Sequence, residues 1–338
     1  MNIIVDAMGG DYAPEAVVKG CVSAAKDFDI NLTFVGVKEK IQAVLQNCNY
    51  EREKITVVHT SEVIDGDDDP TVAIRQKKDS SMRVGLKMLA GGEGDAFVCA
   101  GNTGALIAGA TLIVKRIKGI RRVALAPIMP SETGCFLLVD AGANAECIPS
   151  FLKQFAIMGS IYMEKIMGIR NPRVSLVNIG SEEAKGTPLV VDTHKALKEV
   201  PFHYCGYIEA RDIPKGDADV VVCDGFTGNV ILKFMEGMGM VFYDMLKEIF
   251  YKNIVTKLSA VAVKGGLKKL KKTMDYTEYG GAPLLGVSKP VVKAHGSSNE
   301  KAFYHAIRQA VMCVKSNLVD EITDNIQKYG DDPRKETR

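Results

Sequence analysis

Residues 96–110 read AFVCAGNTGALIAGA, and residues 220–230 read VVVCDGFTGNV. Each segment contains an apolar run of strand length, then the pattern C-x-G-x-T-G, then residues suited to a helix. Short apolar runs bounded by glycine are typical of buried strands, so each segment predicts a strand, a tight loop and a helix. We expect the two loops to face one ligand cleft; the alternative is a chance similarity between glycine-rich turns.

The alternation of strands and helices continues along the whole chain. Apolar runs such as Asn2–Asp6 and Val174–Asn178 are separated by segments with helical periodicity. This alternation is typical of a mostly parallel sheet covered by helices on both faces. Val123–Ala126 and Phe136–Asp140 are expected to pair with each other as strands. The length predicts a single α/β domain over residues 1–338, or two intimate lobes.

The composition is that of an ordinary globular protein, with 46% hydrophobic and 25% charged residues. A formal net charge of +2 provides no overall field to attract nucleic acid, so we expect no nucleic-acid partner. The eight cysteines include no C-x-x-C pair and fit the buried thiols of a reducing cytosol better than a disulfide framework or a zinc site. The N-terminus lacks a signal-peptide pattern, and Gly101–Gly104 interrupts the uncharged run Ala96–Val114. A cytoplasmic chain is therefore expected.

Five glycine-containing loops carry the candidate ligand-binding residues. In open α/β sheets, ligands bind beyond the carboxyl ends of the strands, and the free amides of a helix N-terminus suit phosphate. Each loop alone is weak evidence, because α/β proteins contain many glycine turns, but together the loops predict a phosphate-bearing ligand. No dinucleotide or triphosphate fingerprint is present, which argues against NAD and ATP. The candidate residues are Gly9, Gly10, Asn102, Thr103, Gly104, Asn144, Ser181, Thr227 and Gly228.

Three further residues are candidates for the chemistry itself. Lys185 lies in a glycine loop before a helix, where an ammonium could bind phosphate and neutralise developing charge; a solvated surface lysine is the alternative. Asn229 could hydrogen-bond a carbonyl or merely cap its helix. His295, between a strand and a helix, could act as a general base or a phosphate ligand, or make only a structural hydrogen bond.

Residues 238–280 have a pattern of their own. Two apolar stretches at helical spacing are accompanied by lysines, with no acidic residue between Glu248 and Asp275. This pattern predicts two helices that protrude as a hairpin with an apolar tip and a basic collar, a surface suited to an acidic protein or an anionic membrane. A dimer-packing helix pair with solvated lysines is the alternative. The expected contact residues are Ile254, Leu258, Val261, Lys268 and Lys269.

At its glycine loops the sequence resembles the phosphate:acyl-carrier-protein acyltransferases of bacterial phospholipid synthesis. The matching segments follow one another in order along nearly the whole chain. They are DAMGGDYAPE (6–15), AGNTGALIAGA (100–110), LVDAGAN (138–144), NIGSEEAKGT (178–187), EARDI (209–213), DGFTGNV (224–230) and AHGSSN (294–299). The resemblance implies a homodimer with a Rossmann-like three-layer α/β/α sandwich, like that of the isocitrate and isopropylmalate dehydrogenases and the phosphotransacetylases.

The resemblance also implies a reaction. Fatty acyl-carrier protein and inorganic phosphate would give acyl phosphate and free carrier, with no metal or organic cofactor. A membrane glycerol-3-phosphate acyltransferase would consume the acyl phosphate on the way to phosphatidic acid, and family members act next to the membrane, so peripheral association with an anionic membrane is expected.

The mechanism expected for that reaction is direct attack by phosphate. A thioester is already activated and phosphate dianion is an adequate nucleophile, so positioning and hydrogen-bond donors suffice and no acyl-enzyme is needed. Lys185 and the amides of Asn102–Gly104 would hold phosphate. Asn229 would polarise the thioester carbonyl, and His295 would orient or deprotonate phosphate.

Two other functions remain open at this point. A phosphotransacetylase that uses coenzyme A would share the fold and the phosphate chemistry. A phosphate-ligand sensor attached to the membrane through the hairpin is the non-enzymatic alternative. Phosphate-dependent release of thiol from palmitoyl-carrier protein, compared with acetyl-coenzyme A, separates these functions.

Overall fold

The computed structural model describes residues 1–253, 256–257, 259, 263–266 and 280–330. Its strands form two sheets, one of seven strands and one of five. The strands are β1 (Asn2–Asp6), β2 (Asn31–Gly36), β3 (Ile55–His59), β4 (Ala96–Cys99), β5 (Ala124–Leu125), β6 (Ile128–Ser131), β7 (Gly134–Val139), β8 (Val174–Asn178), β9 (Tyr204–Glu209), β10 (Val220–Val222), β11 (Ala282–Leu285) and β12 (Val291–Lys293). The α-helices are α1 (Glu15–Phe28), α2 (Lys38–Leu45), α3 (Pro70–Gln76), α4 (Ser81–Ala90), α5 (Thr103–Gly109), α6 (Pro149–Lys165), α7 (Pro188–Leu197), α8 (Gly225–Tyr251), α9 (Glu300–Lys315) and α10 (Leu318–Tyr329).

The larger sheet has the strand order β3-β2-β1-β4-β12-β11-β5. The strands from β3 to β12 are parallel, whereas β11 runs antiparallel to β12 and β5. Successive side chains of a strand point to opposite faces. Ile3 and Val5 of β1 accordingly belong to the core shared with α1 and α9, and Ile4 belongs to the core shared with α4 and α5. Both faces of this sheet are therefore covered by helices.

The smaller sheet has the strand order β6-β7-β10-β8-β9. Strands β7, β10, β8 and β9 are parallel, and β6 is the antiparallel edge strand. Helices α6 and α10 pack on one face through a large apolar core. The first turns of α8 cover the other face with Ile231, Leu232 and Met235. The predicted mostly parallel α/β class, with helices on both faces, is confirmed.

The expected pairing of Val123–Ala126 with Phe136–Asp140 is wrong. Strand β5 pairs with β11 in the larger sheet, and β7 pairs with β6 in the smaller one, so the chain crosses between the sheets just after β5. The fully buried carboxylate of Asp140, which follows β7, accepts a hydrogen bond from the Leu125 amide at 2.9 Å. It also accepts bonds from the amides of Ala143 and Asn144, at 3.0 and 2.7 Å. One buried carboxylate thus connects the two sheets.

The predicted hairpin of residues 238–280 begins inside a longer helix, because α8 runs without a break from Gly225 to Tyr251. The expected contact residues of its tip and collar lie outside the described residues, so that part of the hairpin stays a prediction. These residues are Ile254, Leu258, Val261, Lys268 and Lys269. Among the described residues, no helix has both the length and the hydropathy needed to cross a membrane.

Candidate active site

A cleft of about 350 Å³ opens where the two sheets meet, at the carboxyl ends of their parallel strands. Its volume is in the range of small-molecule sites, about 300–1,000 Å³. Its lining combines polar and apolar residues. The polar part of the lining includes Thr103, Gly104, Asn229, Lys233, Glu236, Lys293, His295 and Ser298. The apolar part includes Ile107, Leu125, Pro127, Ile128, Met129 and Leu232.

The first C-x-G-x-T-G loop lines this cleft with Thr103 and Gly104, and the second loop is represented by Asn229, the residue that directly follows it. Asn102 caps α5 by accepting a hydrogen bond from the Ala105 amide at 3.0 Å, and Asp224 caps α8 by accepting one from the Thr227 amide at 2.8 Å. These caps fix where the two helices begin. Thr103 of α5 and Asn229 of α8 then line the cleft, each from a helix that follows a strand of a different sheet. The similarity between the two loops therefore corresponds to a shared position in the fold.

Several predicted binding residues build the walls of the cleft and do not line it. A Cβ on Gly228 would lie 1.9 Å from the Asp140 carbonyl oxygen, and one on Gly9 would lie 2.5 Å from the Gly101 nitrogen. Gly10, whose φ is +103°, packs against the carbonyl oxygen of Gly296. Only glycine permits these close approaches between loops.

Three polar candidates are likewise engaged with the protein. The Asn144 side-chain amide donates to the Val123 carbonyl at 2.7 Å and to Asp140 at 2.9 Å. The Thr227 hydroxyl donates to Asp224 at 2.7 Å. The Asn102 amide donates to three carbonyls of the loop 65–68, at 3.0–3.3 Å. These three side chains hold the loops in place.

Asn229 lies differently, on the exposed surface of α8 inside the cleft. A Cβ on Gly142, in the loop after β7, would lie 3.7 Å from the Asn229 Cβ, so the glycine leaves open space beside the amide. The helix cap is Asp224, so the reading of Asn229 as a cap is wrong. Within the described ranges, no group of the protein hydrogen-bonds the Asn229 side chain, which leaves its amide available to a ligand.

His295 follows β12 and lines the same cleft. Its Nδ1 lies 2.8 Å from the Ser297 hydroxyl and accepts a hydrogen bond from the Ser297 amide at 3.2 Å. Burial lowers the pKa of His295, with Glu236 opposing the shift and Lys233 and Lys293 adding to it. The imidazole is therefore neutral at pH 7, and the accepting Nδ1 places its proton on Nε2, which lies 4.0 Å from Glu236 Oε1.

Lys185 is outside the cleft. It belongs to the loop after β8, at the carboxyl edge of the smaller sheet, and its Nζ pairs with Glu182 at 2.6 Å. The Asn178 amide holds this loop by donating to the carbonyls of Gly180 and Lys185, at 3.0 and 2.9 Å. Ser181 is exposed in the same loop. The phosphate-binding role of Lys185 and Ser181 stays a prediction.

The sequence reasoning missed Lys293, the last residue of β12. This lysine is only 8% exposed, lines the cleft, and donates hydrogen bonds from Nζ to the Ala100 carbonyl at 3.2 Å and to the Ala294 carbonyl. Burial lowers its pKa, and the electrostatic influence of the neighbouring Cys99 and Asp6 opposes that shift. A signal was available in the sequence, since a lysine directly after Val291-Val292 interrupts an apolar run at the end of a strand.

Solved structures with this architecture include a phosphotransacetylase and a branched-chain phosphotransacylase. A phosphotransacetylase from Streptococcus pyogenes matches with a TM-score of 0.65 at 16% identity, over 95% of this chain and 94% of that one. A branched-chain phosphotransacylase from Enterococcus faecalis matches with a TM-score of 0.56 at 16% identity, over 93% and 99% of the two chains. At these identities the likeness concerns the fold alone, and it confirms the expected phosphotransacetylase-like architecture.

Sequence relatives are much closer. The chain is 52% identical over 332 residues to the phosphate acyltransferase of Alkaliphilus oremlandii, covering 98% of this chain and 99% of the relative. It is 51% identical to the phosphate acyltransferase of Thermoanaerobacterium thermosaccharolyticum, covering 98% of each. Residues 1–321 match the model of a family described as fatty acid synthesis protein. The chain therefore belongs to the fatty acid synthesis protein family, together with these phosphate acyltransferases, and is an enzyme.

Proposed function

We propose that the enzyme transfers a fatty acyl group from acyl-carrier protein to inorganic phosphate, releasing acyl phosphate and free carrier. The observation that carries the proposal is the composition of the cleft, whose lining combines polar groups able to bind phosphate with apolar side chains able to contact an acyl chain. The relatives named phosphate acyltransferase support the acyl-to-phosphate direction of the chemistry.

The chemistry is a direct displacement at the thioester. A phosphate oxygen forms a bond to the carbonyl carbon, and the carbonyl oxygen becomes an oxyanion. When that intermediate collapses, the carbon–sulfur bond breaks and the carrier leaves as a thiolate, which takes a proton from solvent. Because the thioester supplies the activation, the protein contributes position and charge stabilisation.

Asn229 stabilises the oxyanion in this proposal. Its side-chain amide has two N–H donors, lies in the cleft and has no partner in the described part of the chain. Donors aimed at a developing oxyanion are commonly the largest single contribution to acyl transfer. The open space beside Gly142 lets a carbonyl approach the amide.

His295 orients the phosphate. The neutral ring offers Nε2–H as a hydrogen-bond donor, while Nδ1 is engaged by Ser297. The amides of Thr103 and Gly104, at the start of α5, contribute from the opposite wall. Lys185 lies outside the cleft and its ammonium is paired with Glu182. It would contribute to phosphate binding only if that ion pair opened and the side chain turned toward the cleft.

The exposed apolar surface of α8 supports a homodimer. This surface exposes a long row of apolar side chains to solvent, and exposed apolar patches of this kind mark protein interfaces. The enzyme is proposed to pair through this surface with a second copy of itself. Its residues are Phe226, Val230, Phe234, Met238, Val241, Met245 and Ile249.

The lysines beyond α8 support contact with anionic partners. Lys252, Lys257 and Lys264 are exposed, and clustered lysines attract both an acidic carrier protein and an anionic membrane surface. We place the enzyme in the cytoplasm, peripherally associated with the membrane, where a glycerol-3-phosphate acyltransferase consumes the acyl phosphate.

The test is an assay for acyl phosphate. Purified enzyme is mixed with palmitoyl-carrier protein and phosphate, and hydroxylamine traps acyl phosphate as the hydroxamate. Hydroxamate formation that requires both phosphate and carrier-bound acyl group is the expected result. Activity confined to acetyl-coenzyme A would instead establish a phosphotransacetylase, and no phosphate-dependent release of thiol from either donor would refute the proposal.

A further inference from the structure

Lys293 is a buried cation that forms no ion pair with a carboxylate of the described residues. Its Nζ has three N–H donors, and two of them are donated to the carbonyls of Ala100 and Ala294. Across the described ranges no carboxylate forms an ion pair with it. Carbonyl oxygens satisfy hydrogen-bond donors, yet they do not neutralise a full charge removed from water.

The other charged groups around the cleft are already engaged. Lys233 pairs with Glu236 at 2.8 Å. The buried Asp6 carboxylate accepts hydrogen bonds from the Cys99 thiol and the Met8 amide, both at 3.1 Å. Of the two lysines that line the cleft, Lys293 is therefore the one with no ion-pair partner among the described residues, and an anion entering the cleft can supply that partner.

The position of Lys293 relates that charge to the reaction. It ends β12, two residues before His295, and its Nζ contacts the carbonyl of Ala100, just before the loop that supplies Thr103 and Gly104. His295, Thr103 and Gly104 all line the cleft. We propose that the Lys293 ammonium is the principal ligand of inorganic phosphate in this cleft, a role that rests on the proposed acyl transfer to phosphate.

Phosphate binding gives a physical reason for burying the Lys293 ammonium, which by itself reduces the stability of the protein. A buried ammonium that lacks an ion-pair partner among the described residues is destabilising in the free enzyme, and a dianionic ligand reduces that penalty when it binds. The two carbonyl contacts hold Nζ in one position, so little side-chain entropy is lost when phosphate arrives. A lysine acts here as a compact point charge, which suits an anion that must still turn to attack a carbonyl.

Direct binding of inorganic phosphate to the full chain tests the proposal, with titration calorimetry as the readout. Lys293→Met should raise the dissociation constant for phosphate by roughly 10- to 100-fold, the effect of one lost charged hydrogen bond. Lys293→Arg keeps the charge and should recover part of the affinity. Lys289→Met, a half-buried lysine in the loop before β12 and outside the cleft, is the matched control and should bind phosphate like the wild type.

Steady-state kinetics adds a second readout. Lys293→Met should raise the KM for phosphate while leaving the KM for the acyl donor near its wild-type value. A folded Lys293→Met enzyme with wild-type phosphate affinity overturns the proposal, as does a wild-type enzyme that binds no phosphate. If phosphate binding depends on Lys293 but no acyl phosphate forms from acyl-carrier protein, the phosphate site stands and the proposed function fails.

A labelling experiment on the wild type covers the case in which the Met variant does not fold. Reductive dimethylation with isotopic formaldehyde, followed by peptide mass spectrometry, reports the reactivity of each lysine. Phosphate should protect Lys293 and leave Lys289 unchanged. Equal labelling of Lys293 with and without bound phosphate would overturn the proposal.

Discussion

Replacing Asn229 with alanine should separate catalysis from folding. The side chain lies in the cleft on an exposed position of α8 and has no hydrogen-bond partner within the described residues. Its removal therefore leaves no protein group unsatisfied, and the free energy of unfolding should change by less than about 0.5 kcal/mol. If the amide stabilises the oxyanion, kcat should fall by roughly 10²- to 10³-fold, or about 2.7–4 kcal/mol.

The assay is the phosphate-dependent formation of hydroxamate, measured beside urea unfolding of the same samples. Asn229→Asp is a second variant of nearly the same shape, which replaces the donor by a negative charge and should be at least as impaired. Asn102→Ala provides the contrast. That asparagine caps α5 and holds three carbonyls of a neighbouring loop, so its loss should cost about 1 kcal/mol of stability or more.

An Asn229→Ala enzyme whose kcat lies within twofold of the wild type would refute the oxyanion-stabilising role of the amide. A loss of stability equal to that of Asn102→Ala would also refute it, because it would mean that Asn229 has a structural partner. A rise in the KM for phosphate at constant kcat would move the amide from the carbonyl to the phosphate.

Three further predictions concern the walls of the cleft, the smaller sheet and the thiols. Gly228→Ala places a Cβ 1.9 Å from the Asp140 carbonyl oxygen, so urea unfolding should show a loss of roughly 1–3 kcal/mol, and an unchanged midpoint would contradict the packing. Burial raises the pKa of Asp219, but hydrogen bonds and charge from Arg173 outweigh it and lower the pKa below 3.8. The pair therefore stabilises the protein above about pH 4 and loses that effect as the pH falls through the folded-state pKa. The difference in unfolding free energy between wild type and Asp219→Asn should shrink on acidification. A difference that stays constant would count against the stabilising role of the pair. Burial raises the pKa of Cys99 and Cys223 well above the usual range, so thiolate is scarce and radiolabelled acyl-carrier protein without phosphate should leave no stoichiometric covalent label on the enzyme; a labelled band after denaturing electrophoresis would establish an acyl-enzyme.

The sequence alone was sufficient for the class of fold and for much of the cleft. Strand and helix signals are local, since an apolar run between glycines becomes a buried strand wherever it is placed. In parallel sheets the carboxyl ends of strands gather at one edge, so residues that follow strands are brought together without knowledge of the strand order. Thr103, Gly104, Asn229 and His295 were found in this way, and all four line the cleft.

Local signals could not determine which glycines and polar residues build the walls. Gly228 and Asn144 follow strands just as Asn229 does, yet both are used to join the loops around Asp140. A glycine that allows a ligand to approach closely and a glycine that allows another backbone segment to approach look the same in the sequence. Only the distance to a residue far away in the chain distinguishes them.

The division into two sheets was decided by the tertiary structure. Strands β5 and β7 are separated in the chain only by β6, yet β5 pairs with β11, more than a hundred residues later, and that pairing completes the larger sheet. Lys185 lies outside the cleft and Lys293 is buried in it, although both lie at the carboxyl end of a strand. The burial of a lysine depends on which distant segments cover it, and those contacts have no counterpart in the local pattern of residues.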